Sequence, residues 1–301
     1  MQFRTGIPTI DAVLAFIPSP ADGMLSLGPF TLHVYGLLLA LGVVVAVKMT
    51  MVRWARLGGD PAEILDGAVF VVICGVIGAR LYHVITDYQR FEHGHWLDVL
   101  KVWRGGLGIW GAVIGGAVGL AYLTHRKHAS ALAISDCVVP GLFLAQAIGR
   151  WGNWFNQELF GKPTTLPWAL EIAPAHRPVG YTAYATFHPT FLYESTYCLL
   201  GAVALLWMDR RSRLRRGQLT ALYVASYTFG RFFFENLRID DAHHLLGMRI
   251  NAWVSLVAFL GGVTWFFWLR THGADRDTPL IRDLDPVLPV RPRGLEPRDS
   301  K

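Results

Sequence analysis

Ala147-Ile148-Gly149-Arg150-Trp151-Gly152-Asn153-Trp154-Phe155-Asn156-Gln157-Glu158-Leu159-Phe160-Gly161 is the stretch where this chain changes character. The run before it, Ala131–Ile148, is apolar and close to the roughly 20 residues that cross a bilayer as a helix. One arginine, two asparagines, a glutamine and a glutamate then crowd the point where that helix leaves the membrane. An arginine costs roughly 2.5–3.5 kcal/mol at the centre of a membrane helix and less toward the interface. A cation kept there beside amide donors suits an anionic headgroup. Alone, Arg150 reads equally well as a side chain that snorkels to the interface. The pattern Gly-Arg-x-Gly-Asn-x-x-Asn-x-Glu-x-x-Gly, taken as a unit, favours the anion.

The whole chain agrees with a membrane setting. Its 301 residues are 52% hydrophobic and 17% charged, with a mean hydropathy of +0.34. A soluble domain is about 25% charged. The formal charge of +6 does not point to nucleic acid, because the basic residues lie in short loops and a tail between apolar blocks. Cys74, Cys137 and Cys198 all fall inside apolar blocks, without metal-ligand spacing or a paired framework, and read as small core residues. No metal and no soluble cofactor is expected. Met1–Leu27 lacks the basic start and apolar core of a cleavable signal peptide.

Seven spans are expected: Phe30–Met51, Ile64–Ile85, Leu107–Leu123, Ala131–Ile148, Phe191–Met208, Leu219–Asn236 and Ala252–Leu269. In lipid, backbone polar groups must be satisfied internally, so these are helices and the fold class is all-α. No alternation of lumen-facing and lipid-facing residues supports a barrel. Ten basic residues crowd three short connections, while eight are spread over longer ones. That density places the first set in the cytoplasm, the N-terminus outside and the C-terminus inside. The expected organisation is an outer segment over 1–29, a membrane domain over 30–270 and a disordered basic tail over 271–301. Residues 151–189, with Pro163, Pro167, Pro174 and Pro178, form an irregular outer arm. Gly111, Gly115 and Gly119 make a small-residue stripe suited to close helix packing, repeated weakly by Gly141, Ala145 and Gly149.

With that orientation the intramembrane polar residues gather in the outer half. Tyr35, Arg80, Trp110, Arg150, Asn153, Arg231 and Glu235 all fall there. In the sixth span Tyr227, Arg231, Glu235 and Arg238 recur at i, i+4, i+8 and i+11, on one helical face. Two arginines at the depth of lipid phosphates suggest a phosphate clamp. An Arg231–Glu235 pair that only neutralises itself is the simpler alternative. His188 and Glu194, at the start of the fifth span, are either site residues or capping and interface residues. Asp136, with Ser135, reads as a helix cap.

The motifs together resemble one family. Gly149–Gly161 is similar to the signature of the prolipoprotein diacylglyceryl transferases. Leu32-His33-Val34-Tyr35-Gly36-Leu37, Gly78-Ala79-Arg80-Leu81-Tyr82, His188-Pro189-Thr190-Phe191-Leu192-Tyr193-Glu194 and Tyr227-x-x-x-Arg231-x-x-x-Glu235-x-x-Arg238 are similar to its other motifs and occur in its order. One position departs. The family usually has Gly-Gly-x-x-x-His-Gly-Gly before its third helix. Here Gly105-Gly106-Leu107-Gly108-Ile109-Trp110-Gly111-Ala112 puts a tryptophan, which accepts no proton, at the histidine.

The resemblance implies a bacterial inner-membrane enzyme working at the outer leaflet. It would transfer the diacylglyceryl group of phosphatidylglycerol to the lipobox cysteine of prolipoprotein signal peptides, with no nucleic acid involved. Arg150, Arg231, Tyr227, Glu158 and Glu235 are the expected catalytic residues. Arg150, Asn153, Asn156, Tyr35, Arg80, Arg238, Gly161 and His188 are expected to hold the lipid. The general base stays open among Glu158, His188 and Glu235. The alternatives are a transporter or flippase for anionic lipids and an inactive lipid-binding homologue.

Overall fold

The apolar runs fold as helices because no other local structure satisfies their backbone groups without water. Seven appear among the described residues of the computed structural model, which are 16–27, 30–88, 99–100, 106, 108–126 and 129–275. They are α1 (Val34–Arg56), α2 (Pro61–Thr86), α3 (Ile109–Arg126), α4 (Ala131–Phe155), α5 (Thr190–Arg211), α6 (Gln218–Leu237) and α7 (Ile250–His272). Five of them, α1, α2, α4, α5 and α7, are long and apolar enough to cross a membrane. The chain is a mostly helical, multi-pass membrane protein. The two remaining helices are α3, which ends in His125 and Arg126, and α6, which carries Arg231 and Glu235.

The fold departs from purely helical in three short antiparallel hairpins. They are β1 (Met24–Leu27) with β2 (Phe30–His33), β3 (Leu170–Glu171) with β4 (Thr186–Phe187), and β5 (His244–Leu245) with β6 (Met248–Arg249). The first span therefore begins at Val34 and not at Phe30. The N-terminal segment is not separate from the arm: Ile17 pairs with Leu170 beside the β3–β4 hairpin. Residues 1–15 and 276–301, which include most of the expected outer segment and basic tail, lie outside the described residues.

The chain divides into two compact units. In the smaller, spanning Asp66 to Ala131, the glycine stripe of α3 is a packing seam. A Cβ on Gly111 would sit 2.1 Å from the Gly78 carbonyl oxygen, and one on Gly115 would sit 2.3 Å from that of Cys74. The larger unit holds α1 and α4–α7. There the weaker stripe of α4 faces α1: a Cβ on Gly141 would meet the Ala46 oxygen at 2.9 Å, and Gly42 stands against Ala145 in the same way. Val139, Phe143, Ala147, Cys198, Ala202, Leu205 and Leu219 form the core among α4, α5 and α6.

Two polar groups explain how the end of this unit remote from the signature is closed. Pro140 lies inside α4 and has no N–H, which leaves the carbonyl of Asp136 without its helical partner. Arg53 fills the gap, donating from Nη2 to that oxygen at 3.0 Å and pairing through Nη1 with Asp209 at 2.9 Å. Arg53 thus belongs to α1 and to an ion pair with Asp209. The Asp136 carboxylate accepts from the backbone N–H of Gly217 at 2.7 Å and of Thr220 at 2.8 Å. It is a cap, but for the first turn of α6 and not for its own helix, with Ser135 bonded to the Thr220 hydroxyl at 3.0 Å.

Candidate functional site

The signature begins inside α4 and ends in a backbone reversal. Gln157 and Leu159 both take the left-handed conformation, with φ of 51° and 58°. Non-glycine residues adopt it at a cost of roughly 1–2 kcal/mol each. Such strain persists only where the surroundings impose it. Here Gln157 does so with both ends of its amide, donating to Pro20 O at 2.8 Å and accepting from Ala173 N at 2.8 Å. Trp154 adds a bond from its indole to Pro18 O at 3.1 Å. The reversal is therefore pinned between the N-terminal segment and the arm.

Above this scaffold the ionic side chains meet. Arg150 of α4 pairs with Glu194 of α5 at 2.8 Å, and Arg231 of α6 approaches the same carboxylate oxygen at 3.5 Å. Arg231 also pairs with Glu235 one turn further on. Glu235 is fully buried, at 0% exposure. It is further held by Arg249 at 2.9 Å, Arg238 at 3.7 Å and the Asn251 amide at 3.2 Å. Arg238 closes on Asp240 with two bonds of 2.7 and 2.8 Å, and Arg249 reaches the same carboxylate at 2.9 Å. Burial pushes the Asp240 carboxyl up, but the bonds and charges of Arg238 and then Arg249 outweigh it and hold the group below the ordinary aspartate range. Arg150, Arg231, Arg238 and Arg249 thus face Glu194, Glu235 and Asp240 in one connected network. Four positive charges against three negative leave it one anion short.

A second cluster lines the neighbouring face. Glu158 accepts from the Asn153 amide at 2.9 Å and the Asn156 amide at 3.2 Å, and Asn153 faces Arg150 at 3.4 Å. Tyr35, at the start of α1, comes close because residue 152 is glycine: a Cβ there would sit 2.0 Å from the tyrosine ring. The Tyr227 hydroxyl lies beside the Arg150 guanidinium. His188 Nδ1 lies 3.2 Å from the Tyr193 hydroxyl. Burial lowers the His188 pKa below the ordinary histidine value, which leaves the ring neutral at neutral pH.

Arg150, Asn153, Asn156, Glu158, Tyr227, Arg231, Glu235 and Arg238 therefore come together around two buried carboxylates, and Tyr35 borders them. Gly161 is accounted for by packing: its Cβ would lie 2.9 Å from that of His188 and 3.0 Å from Leu237 Cγ. Arg80 lies in the smaller unit, where Nε donates to Val99 O at 2.7 Å and Nη1 to Gly106 O at 3.0 Å. Trp110 sits in the first turn of α3, partly exposed. Glu194, which the sequence leaves open as a site residue or a cap, lies in the network. Arg249 and Asp240 are the two members that sequence reasoning does not reach, and nothing in their spacing marks them as partners of Glu235 and Arg238. No group of three or more metal-ligating side chains occurs among the described residues.

Comparison with known proteins gives a consistent result. Residues 22–268 match the family model for prolipoprotein diacylglyceryl transferase. A Streptomyces coelicolor protein named phosphatidylglycerol–prolipoprotein diacylglyceryl transferase 1 is 52% identical over 249 residues, covering 82% of this chain and 72% of its own. A protein of the same name, without the numeral, from Frankia alni is 53% identical over 287 residues, covering 94% and 72%. The counterpart from Cutibacterium acnes is 51% identical over 249 residues, covering 82% and 84%.

Proposed function

The chain belongs to the prolipoprotein diacylglyceryl transferase family, and from that premise we propose that it moves the diacylglyceryl group of phosphatidylglycerol onto the lipobox cysteine thiol of prolipoprotein signal peptides. It is a membrane-embedded transferase, and the names of its relatives give no support to a transporter. The observation that carries the mechanism is the convergence of Arg150 and Arg231, from different helices, on one buried Glu194 carboxylate.

In this reading the lipid phosphate supplies the anion that the network lacks. The two guanidiniums bind it and stabilise the charge that grows as the bond between the glycerol carbon and the phosphate oxygen breaks. The cysteine sulfur forms the new carbon–sulfur bond, and glycerol phosphate leaves with the electron pair. Only the thiolate is an effective nucleophile, so the thiol proton must depart. Glu235 is a poor acceptor because Arg231, Arg238 and Arg249 surround it and stabilise its negative charge. It is assigned instead to positioning Arg231. Glu158 is exposed and bound only by neutral amides among the described residues, and it is assigned as the base. Asn153 and Asn156 orient it, while Tyr35 and Tyr227 flank Arg150. A base outside α3 makes Trp110 compatible with turnover.

The membrane is assigned as the bacterial inner membrane. All seven helices cross it, with the N-terminus and the Arg150–Arg231 end outward. The test is transfer from labelled phosphatidylglycerol to a lipobox peptide by the purified protein and by Arg150→Ala and Arg231→Ala. Removal of one preorganised donor to a developing oxyanion typically lowers kcat about 10²–10³-fold. Losses of that order in both variants support the clamp, and parental activity in either one overturns it.

A further inference from the structure

One helical turn below Arg150 and Tyr227 lies a polar pair that the reaction so far leaves unused. Gln146 is four residues before Arg150 on α4, and Tyr223 is four before Tyr227 on α6. They meet across the two helices, the Gln146 amide donating to the Tyr223 hydroxyl at 2.9 Å. Phe143 packs edge-on against Tyr223 with ring centroids 4.8 Å apart, and Tyr227 stacks on the same ring at 5.9 Å. The pair thus sits in an aromatic wall, on the face that leads up to the clamp.

Its hydrogen bonding is incomplete. Gln146 Oε1 is buried and has no partner among the described residues. A buried polar atom in that state is unfavourable, and in lipid no water relieves it. Turning the amide over would let Oε1 accept from the Tyr223 hydroxyl and leave both amide N–H groups over. In the orientation seen, one amide N–H and the tyrosine O–H are left over, but so is the buried Oε1. The turned amide pairs that acceptor and is the better satisfied of the two, and in it the pair presents only donors, beside the apolar cluster that Tyr223 packs against. The matching ligand is neutral, carries acceptors without donors, and has an apolar body.

We propose that Gln146 and Tyr223 form a second lipid subsite, which hydrogen-bonds an ester carbonyl of the diacylglyceryl group while Arg150 and Arg231 hold the phosphate. The inference rests on the phosphatidylglycerol reading above and adds where the acyl esters lie. The vertical offset fits. The pair lies one turn, roughly 5.4 Å, along the helices from Arg150 and Tyr227, and the glycerol backbone spaces an ester carbonyl from its phosphate by a similar step. A donor at that depth fixes the glycerol carbon between the clamp and the incoming sulfur. It also distinguishes an ester-linked lipid from an ether-linked one, which has no carbonyl.

The experiment compares kcat/KM for diester phosphatidylglycerol and for its dialkyl ether analogue, in the full-length parent, Gln146→Leu and Tyr223→Phe. One hydrogen bond to a neutral acceptor corresponds to roughly a three- to tenfold preference. The parent is expected to favour the ester by that factor, chiefly through KM. Gln146→Leu should bring the ratio close to one, and Tyr223→Phe, which keeps the ring and the packing, should lower it. A parent without ester preference, or variants that retain the parental ratio, overturns the subsite while leaving the transferase reading intact. Absence of thioether product from either lipid with a folded parent removes the transferase reading and the subsite with it.

Discussion

Replacing Glu194 with glutamine tests the central pairing of the site. Glu194 is 4% exposed and stands 2.8 Å from Arg150 and 3.5 Å from Arg231. Breaking a buried ion pair by removing one partner costs about 3–5 kcal/mol, because the other charge stays behind uncompensated. Here two guanidiniums stay behind. The glutamine oxygen still accepts from one of them, and a hydrogen bond to a charged group returns about 1.5–3 kcal/mol. The net loss is then about 2 kcal/mol. At roughly 2–4 °C per kcal/mol for a domain of this size, Tm should fall by about 4–8 °C in a neutral detergent.

Lipid gives the sharper readout. The network carries one net positive charge in the parent and two in Glu194→Gln. Phosphatidylglycerol should therefore raise Tm more in the variant than in the parent, because its phosphate replaces the missing carboxylate. A zwitterionic lipid should raise both less. The assay is thermal unfolding of the purified protein, with and without each lipid. Tm within about 1 °C of the parent, or identical lipid responses in the two proteins, would refute both the pairing and the charge count.

Gly152→Ala should disable the enzyme without touching a charged group. Its Cβ would sit 2.0 Å from the Tyr35 ring, overpacking costs about 1–3 kcal/mol, and a double variant with Tyr35→Ala should be no less stable than Gly152→Ala alone. Asp136→Ala removes the cap from the first turn of α6; it should lower stability by about 1–2 kcal/mol, while the KM for lipid in the surviving folded protein stays at the parental value. Asp240→Asn carries a pH signature. The Asp240 carboxyl is held below its unfolded value of about 3.9, so its contribution is fully present above that pH and is lost as pH falls through the folded pKa. The stability gap between parent and Asp240→Asn, measured by urea unfolding, should be full at pH 7 and shrink below about pH 4. A gap that is constant over that range would mean the carboxylate charge is not what stabilises the loop.

How much of this was legible in the sequence depended on whether the pattern is local. Helix existence was legible because length and hydropathy are properties of each run. The polar face of α6 was legible because Tyr227, Arg231, Glu235 and Arg238 recur with the helical period. The packing stripes were legible for the same reason, and both α3 and α4 use them. Pairings between helices were not. Glu194 lies five residues into its helix, and nothing in that spacing says that Arg150 and Arg231 will reach it from two others. Arg249 and Asp240 lie in a connection, where charge ordinarily means solvent. Only the return of α7 beside α6 brings Arg249 to Glu235. The first hairpin is not legible because Phe30–His33 runs without a break into the apolar helix after it, and a four-residue run does not declare its period.

The two buried glutamates separate into different tasks on the strength of their partners. Glu235 is met by three guanidiniums and an amide, at 0% exposure. An arriving phosphate cannot displace it without leaving several cations unpaired at once. Glu194 has only Arg150 and Arg231 among its described carboxylate partners, and Arg150 also faces Asn153 and Tyr227. One of its contacts is already long, at 3.5 Å. A competing anion thus meets its weakest resistance at Glu194. The consequence is an order of response: with Glu235 anchoring Arg231 from behind, phosphate binding should loosen the Glu194 contacts first and leave the Glu235 network intact. Substitution at Glu235 should then depress kcat together with stability. Substitution at Glu194, beyond its cost in stability, should act on lipid affinity more than on kcat, with KM for phosphatidylglycerol falling in Glu194→Gln as the competing carboxylate is removed. A KM that rises in Glu194→Gln would mean the carboxylate is needed to shape the clamp even when lipid occupies it.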